Sequence, residues 1–237
     1  MPTLAQIRAR YVEGGRPLPR EVERALREDL RPGAKAILEA IARRRREHRS
    51  EGQRLRKMLR LEQALWAAGV TCVAGVDEAG MSPLAGPVYA AAVVLAPGTR
   101  LVDVDDSKKL DAASRERLAV EIKARALAWR VGWASVDEID AFNIYWAGLL
   151  AMKRAVVGLE VTPQHLLLDA RRLKDLGIPQ DRIVKGDERS LSIAAASILA
   201  KTARDAAMRA LDALHPGYGF ARHKGYPVRE HFEALAR

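Results

Sequence analysis

With 237 residues, 49% hydrophobic and 30% charged, the chain can bury one good core plus an appendage, or two small domains, and its composition excludes extensive disorder. Its single cysteine, Cys72, excludes an internal disulfide and suits a reducing compartment, while its longest apolar run, "VYAAAVVLA", falls far short of the ~20 residues that span a bilayer. A net charge of +10 favours polyanionic partners, nucleic acid first. The N-terminus lacks the apolar stretch of a signal peptide, so a soluble cytoplasmic monomer is expected.

The charge is uneven. Residues 1–70 carry seventeen Lys and Arg against nine Asp and Glu, and the remainder is close to neutral. This first segment has helical spacing and no strand signal. In "LPREVERALREDL", Val22, Ala25, Leu26 and Leu30 share a face, with acids near the start. Ile37, Leu38 and Ile41 continue the pattern, followed by Leu55, Met58, Leu59, Leu61 and Leu65. Pro32-Gly33 and Ser50-Glu51-Gly52 are the expected breaks, and Gly69 the expected stop. Residues 1–70 read as a basic all-helical N-terminal extension, and residues 71–237 as a separate domain.

From residue 71 the pattern changes. "TCVAGVDE" and "VYAAAVVLA" predict two strands separated by Gly and Pro, hence an antiparallel pair, and "ALAWRVGWASV" (126–136) predicts a third. "DEIDAFNIYWAGLLAMKRAVVGL" predicts a helix with Ile144, Leu149, Met152 and Val156 among its apolar positions. "HLLLDA" and "DRIVKGD" are short buried strands. "SLSIAAASILAKTARDAAMRALDALH" is a long helix whose Ala and Ser residues, with Lys201 and Arg204 further along, read as structural. Paired strands followed by alternating strands and helices indicate an α/β domain with a mixed central sheet flanked by helices. Trp66, Trp129, Trp133 and Trp146 are expected in the core. His223 and His231 lack metal-ligand spacing and read as surface or packing residues.

Three acids share one setting. Asp77 ends "VAGV", Asp169 ends "HLLL", and Asp187 follows "RIVKG"; Glu78 lies beside Asp77. Neighbouring strands of one sheet would bring these ends together. Clustered carboxylates repel, so they shift their pKa values upward or bind a cation. Oxygen-only ligands favour Mg²⁺ or Mn²⁺ over zinc, and Cys/His pairs at zinc spacing are absent. Two such ions ~4 Å apart suit phosphodiester hydrolysis, one activating water and the other stabilising the leaving oxygen. Each acid also has an ordinary explanation, as a turn residue, a solvated neighbour, or, for Asp187, a cap on the helix beginning near Ser190. Pattern alone leaves both readings open.

Several separated motifs carry a resemblance. "AGVDEAG" with "PLAGPV", "DDSKKL" (105–110), "NIYWAGLLAMKRAV", "LLLDARRL", "KGDERSLSIAAASILAKTARDAAM" and "HPGYGFARHKGYPVREH" occur in this order. Over residues 71–231 the chain resembles ribonuclease HII, the type 2 ribonuclease H, in a bacterial form with a helical N-terminal extension. The resemblance implies a ribonuclease H-like fold. It implies endonucleolytic cleavage of RNA in RNA·DNA hybrids and at single ribonucleotides in duplex DNA, leaving 5′-phosphate and 3′-hydroxyl ends. It makes Asp77, Glu78, Asp169 and Asp187 the metal-binding catalytic set for two Mg²⁺ or Mn²⁺ ions. Lys108 and Lys109 would contact backbone phosphates, and Tyr226 would pack on the sugar beside the junction. These roles suit the residue types: ammonium groups neutralise phosphate, and a reader of the 2′-hydroxyl must approach closely.

Two departures stand out. Gly80-Met81-Ser82 occupies the turn where the family usually has Gly-Arg-Gly beside the ribonucleotide junction, so Met81 removes a guanidinium and Ser82 adds a side chain. "DARR" replaces the usual Asp-Gly-Asn. The chain also stops at Arg237, where relatives commonly continue, implying fewer C-terminal substrate contacts. Two other readings therefore stand beside the nuclease: a non-catalytic nucleic-acid-binding module, and a variant nuclease with altered junction specificity.

Overall fold

A computed structural model describes residues 2–237. The chain divides into two compact units, one ending at Arg54 and one spanning Leu55–Arg237. The first is helical. Thr3 and Gln6 form a reciprocal capping box that starts α1 (Leu4–Ile7), which runs into a π-helical turn at Arg8–Glu13. α2 (Arg20–Glu28) and α3 (Pro32–Met58) follow. Ile7, Tyr11, Leu18, Leu26, Ala34, Ile37 and Ile41 form this unit's core.

Two expectations here need correction. Ser50-Glu51-Gly52 is no break, because α3 continues through it to Met58; one glycine costs only ~1 kcal/mol, too little to end a long helix. Leu30 is 98% exposed, since α2 ends before it.

In the second unit α4 (Arg60–Ala67) ends as expected. Gly69 takes φ +85°, and the Gly69 and Val70 N–H groups donate back to Trp66 and Leu65 carbonyls, a Schellman closure. Five strands follow: β1 (Val73–Ala79), β2 (Val88–Val94), β3 (Ala128–Ala134), β4 (His165–Asp169) and β5 (Gln180–Ile183). Their spatial order is β3-β2-β1-β4-β5. β1–β2 and β2–β3 are antiparallel, while β1–β4 and β4–β5 are parallel, so the expected mixed sheet is present.

Strand alternation sorts the side chains between two faces. Ala74 and Val76 of β1, Val88, Ala90, Ala92 and Val94 of β2, and Leu166 and Leu168 of β4 pack toward α6 (Val136–Val157). Ala91, Val93 and Leu95 pack toward α5 (Ala112–Arg125) and α7 (Leu191–Leu214). α7 lies close on β1: a Cβ built on Gly75 would sit 2.2 Å from the Ser192 backbone, so only glycine fits. Short helices α8 (Phe220–His223) and α9 (Arg229–Leu235) close the chain. The sequence reading missed α5, α8 and α9.

Three of the four tryptophans contradict their expected burial. Trp129, Trp133 and Trp146 are 36%, 50% and 58% exposed. β3 is an edge strand, and Trp129 and Trp133 stand on its α5/α7-side face at the uncovered margin of the sheet; Trp146 lies on α6. Trp66 does pack against the core. His223 and His231 are buried and stacked on each other, so they are packing residues.

Candidate active site

The sheet brings the acids together. Val76 pairs with Leu168 in the parallel β1–β4 ladder, so Asp77 and Asp169 leave the two strands at the same level. Both are odd-numbered in strands whose even residues face α6, so both face the α7 side. Asp187 lies in the 3₁₀ turn Gly186–Glu188 just beyond the end of β5, and the Gly186 N–H donates to Asp169 Oδ1 at 2.7 Å. Three adjacent parallel strands thus deliver an acid each at their carboxyl ends, where open α/β sheets bind ligands. Glu78, one residue on from Asp77, leaves β1 toward the other face, where its Oε1 stands 3.8 Å from Arg171 Nε.

The local electrostatics are those of crowded acids. Burial, then the charges of Glu78 and Asp169, push Asp77 well above the usual carboxylate range, against hydrogen bonds from the Ser197 hydroxyl and the Glu78 N–H. Burial also raises Glu78, with Arg171 opposing and Asp169 adding to the rise. Asp187 rises through burial and the neighbouring charge of Asp106, with Lys108 opposing. Lys108 is partly desolvated, yet Asp106, Asp187, Asp77 and Asp169 together hold its pKa above the ordinary lysine value. Glu78 Oε2 is buried with no hydrogen-bond partner. Among the described residues no three His, Cys, Asp or Glu side chains already stand as a metal cage. Mg²⁺ does not need one, because it keeps several waters and takes one or two carboxylates plus substrate phosphate.

Of the expected substrate residues, Lys108 reaches the acids directly. Lys108 Nζ lies 3.6 Å from Asp187 Oδ2 and is largely exposed. Lys109 points to Glu188 and Asp105, at 3.2 and 3.6 Å. Gly80 takes φ +108° against the Arg204 side chain, and Ser82 is exposed. Met81 is half-buried, its sulfur against Gly148 of α6. Tyr226 is partly exposed, its ring facing Lys201 Nζ at 5.4 Å and Arg204 at 6.0 Å. Arg204 itself is fully buried and donates to the Ala85, Pro87 and Lys224 carbonyls, tying the turn after β1 to the Tyr226 segment.

Sequence reasoning passed over four neighbours of the acids. Asp106, buried beside Asp187, stands in the quoted "DDSKKL", and its position before two lysines was the available signal. Ser197 reaches Asp77 and hydrogen-bonds Ser107 at 2.9 Å. Glu62 of α4 is fully buried, its Oε1 accepting from the Ser190 and Ser192 hydroxyls and the Ser192 N–H at the start of α7. No local pattern marks these two. Arg171 stands in "DARR", noticed only as a departure. The cap of α7 is Ser190, whose hydroxyl accepts from the Ile193 N–H, so Asp187 has no capping role.

Comparison with known proteins points to one family. A sequence model of the family described as Ribonuclease HII matches residues 74–237. Ribonuclease HII of Anaeromyxobacter sp. (strain Fw109-5) is 57% identical over 99% of this chain and 75% of its own. That of Myxococcus xanthus (strain DK1622) is 57% identical over 98% and 80%. Among solved structures, ribonuclease H2 from Pyrococcus horikoshii OT3 superimposes with a TM-score of 0.59 at 25% identity, covering 69% of this chain and 84% of its own. The Archaeoglobus fulgidus RNase HII, solved in complex with PCNA, gives the same TM-score and coverage at 28% identity. The chain belongs to the ribonuclease HII family, metal-dependent endoribonucleases of RNA–DNA hybrids with a ribonuclease H-like fold.

Proposed function

We propose that Asp77, Glu78, Asp169 and Asp187 are the metal-binding catalytic residues, holding two Mg²⁺ or Mn²⁺ ions. The supporting observation is the placement of three acids at the carboxyl ends of adjacent parallel strands, with Glu78 Oε2 buried and unpartnered. A buried carboxylate oxygen without a donor costs free energy that a hard cation relieves. The donor set, all oxygen and with raised pKa values at Asp77, Glu78 and Asp187, fits such an ion. Bound divalent ions supply activation of the attacking water and stabilisation of the leaving 3′-oxygen.

The chain's own residues do the rest. The Gly186 N–H fixes one oxygen of Asp169, and the Ser197 hydroxyl orients Asp77. Lys108 and Lys109 neutralise backbone phosphates on the Asp187 side, and Tyr226 stacks against the sugar at the junction. The Gly80-Met81-Ser82 turn approaches the ribonucleotide through its backbone, with Met81 packed away on α6. The substrates are RNA·DNA hybrid and duplex DNA containing single ribonucleotides. Residues 71–237 form the catalytic domain, and the basic segment 1–70 adds duplex affinity. The protein works as a cytoplasmic monomer; no helix among the described residues is long and apolar enough to cross a membrane.

Matched duplexes test this: one embedded ribonucleotide, several, and all DNA. The wild type nicks the first two with 5′-phosphate products in Mg²⁺ or Mn²⁺, and spares the third. A wild type inert under both metals sinks the proposal.

A further inference from the structure

The Gly80-Met81-Ser82 turn offers no cation, yet the acid cluster has one on each side. Lys108 stands beside Asp187 at 3.6 Å, and Arg171 beside Glu78 at 3.8 Å. The two are held differently. Lys108 is 78% exposed at its side chain, whereas Arg171 is 26% exposed. The Arg171 guanidinium lies over the Tyr145 ring, 4.8 Å from its centroid. Tyr145 is placed by a break in α6, where Asn143 takes φ 69° and its Oδ1 accepts from the Tyr145 and Trp146 N–H groups. The guanidinium is therefore oriented before any ligand arrives.

It is also unspent. Arg204 and Arg115 direct their guanidinium groups to backbone carbonyls, where they are structural. Among the described residues Arg171 makes no hydrogen bond through its side chain, and its distance to Glu78 exceeds hydrogen-bond reach. A partly desolvated, preoriented arginine with five free donors at the rim of a phosphodiester site is suited to a phosphate oxygen.

We propose that Arg171, oriented by Tyr145, is a phosphate-binding residue for the nucleic-acid strand on the Glu78 side of the acid cluster. In the ligand-free protein it sits opposite Glu78; with a divalent ion held by Glu78, its donors are available to the substrate backbone from the same orientation. The site then has cations on both flanks, Lys108 and Arg171, with Met81 half-buried against α6 as packing. This rests on the placement of the metal site proposed above.

The test is duplex binding without turnover. Affinity of the full chain for an RNA·DNA hybrid is measured against salt with Ca²⁺ as the divalent ion, for wild type, Arg171→Ala, Arg171→Lys and Tyr145→Ala. Each lost phosphate contact lowers the slope of log K against log salt by about 1. Arg171→Ala loses that one unit and binds on the order of tenfold more weakly. Arg171→Lys keeps the slope, since it keeps the charge. Tyr145→Ala keeps the slope and weakens binding by less than Arg171→Ala. An Arg171→Ala variant with wild-type slope and affinity overturns the proposal, as does a slope that also falls in Arg171→Lys. Wild-type nicking in Mg²⁺, run in parallel, reports separately on the nuclease reading.

Discussion

Glu62 connects stability to the site. It lies on α4, fully buried, and its Oε1 accepts three hydrogen bonds: 2.6 and 2.7 Å from the Ser190 and Ser192 hydroxyls, and 2.9 Å from the Ser192 N–H. The α7 N-terminus it holds follows the Asp187 turn directly, the Ser190 N–H donating to the Gly186 carbonyl at 2.8 Å. In Glu62→Ala the buried Ser192 N–H loses its acceptor, at ~1–3 kcal/mol. A negative charge at a helix start is lost too, worth up to ~2 kcal/mol when partly buried. Two effects oppose these: the Ser190 and Ser192 hydroxyls, already 3.1 Å apart, can pair with each other, and the unpartnered Glu62 Oε2 is no longer buried. The net cost is ~2–4 kcal/mol. At ~2–4 °C per kcal/mol for a unit of this size, Tm falls by ~5–15 °C in thermal unfolding followed by circular dichroism. Glu62→Gln keeps one acceptor oxygen and loses about half as much. A Glu62→Ala protein melting within ~1 °C of wild type refutes the reasoning, because the α7 start would then not depend on this carboxylate.

Three further outcomes follow from particular residues. Asp77, Glu78 and Asp187 have folded-state pKa values above their ordinary ones, so the stability they permit is whole below the unfolded pKa and is lost as pH rises through the folded value. In chelator, Asp77→Asn therefore melts increasingly above wild type as pH climbs from ~4 toward neutrality; a pH-independent gap would contradict this. Ala170 sits at φ 47°, so Ala170→Gly relieves ~1 kcal/mol or more of left-handed strain against a smaller entropic loss, and raises Tm by a few degrees in calorimetry; a drop would show the strain is absent. Removing residues 2–54, which spares α4 and Glu62, weakens hybrid binding and flattens its salt dependence, whereas an unchanged slope means the arginines of that unit are only solvated.

The sheet and its acids were legible because alternation and strand-end position are local patterns. Asp77, Asp169 and Asp187 each follow a short apolar run, and parallel pairing does the rest. α5 was missed: its apolar positions Leu118, Ala119 and Ile122 lie among six charged residues, so its period is faint, although Asp111 caps its start. Trp129 and Trp133 misled because residue type suggests burial while edge-strand position decides it, and Trp146 because it lies on an uncovered part of α6. Glu62, Ser197 and Arg171 act on partners far away in sequence, and such pairs leave no mark on local spacing. Arg171 appeared only as a deviation in "DARR"; its meaning needed Tyr145 and the break at Asn143.

The central claim is that the four acids jointly hold divalent ions. Anomalous diffraction from crystals of the protein with Mn²⁺ and a non-cleavable hybrid duplex measures this directly. The account predicts two manganese peaks about 4 Å apart, each ligated by carboxylates from Asp77, Glu78, Asp169 and Asp187. Peaks bound elsewhere, or none at the ends of β1 and β4, would contradict it.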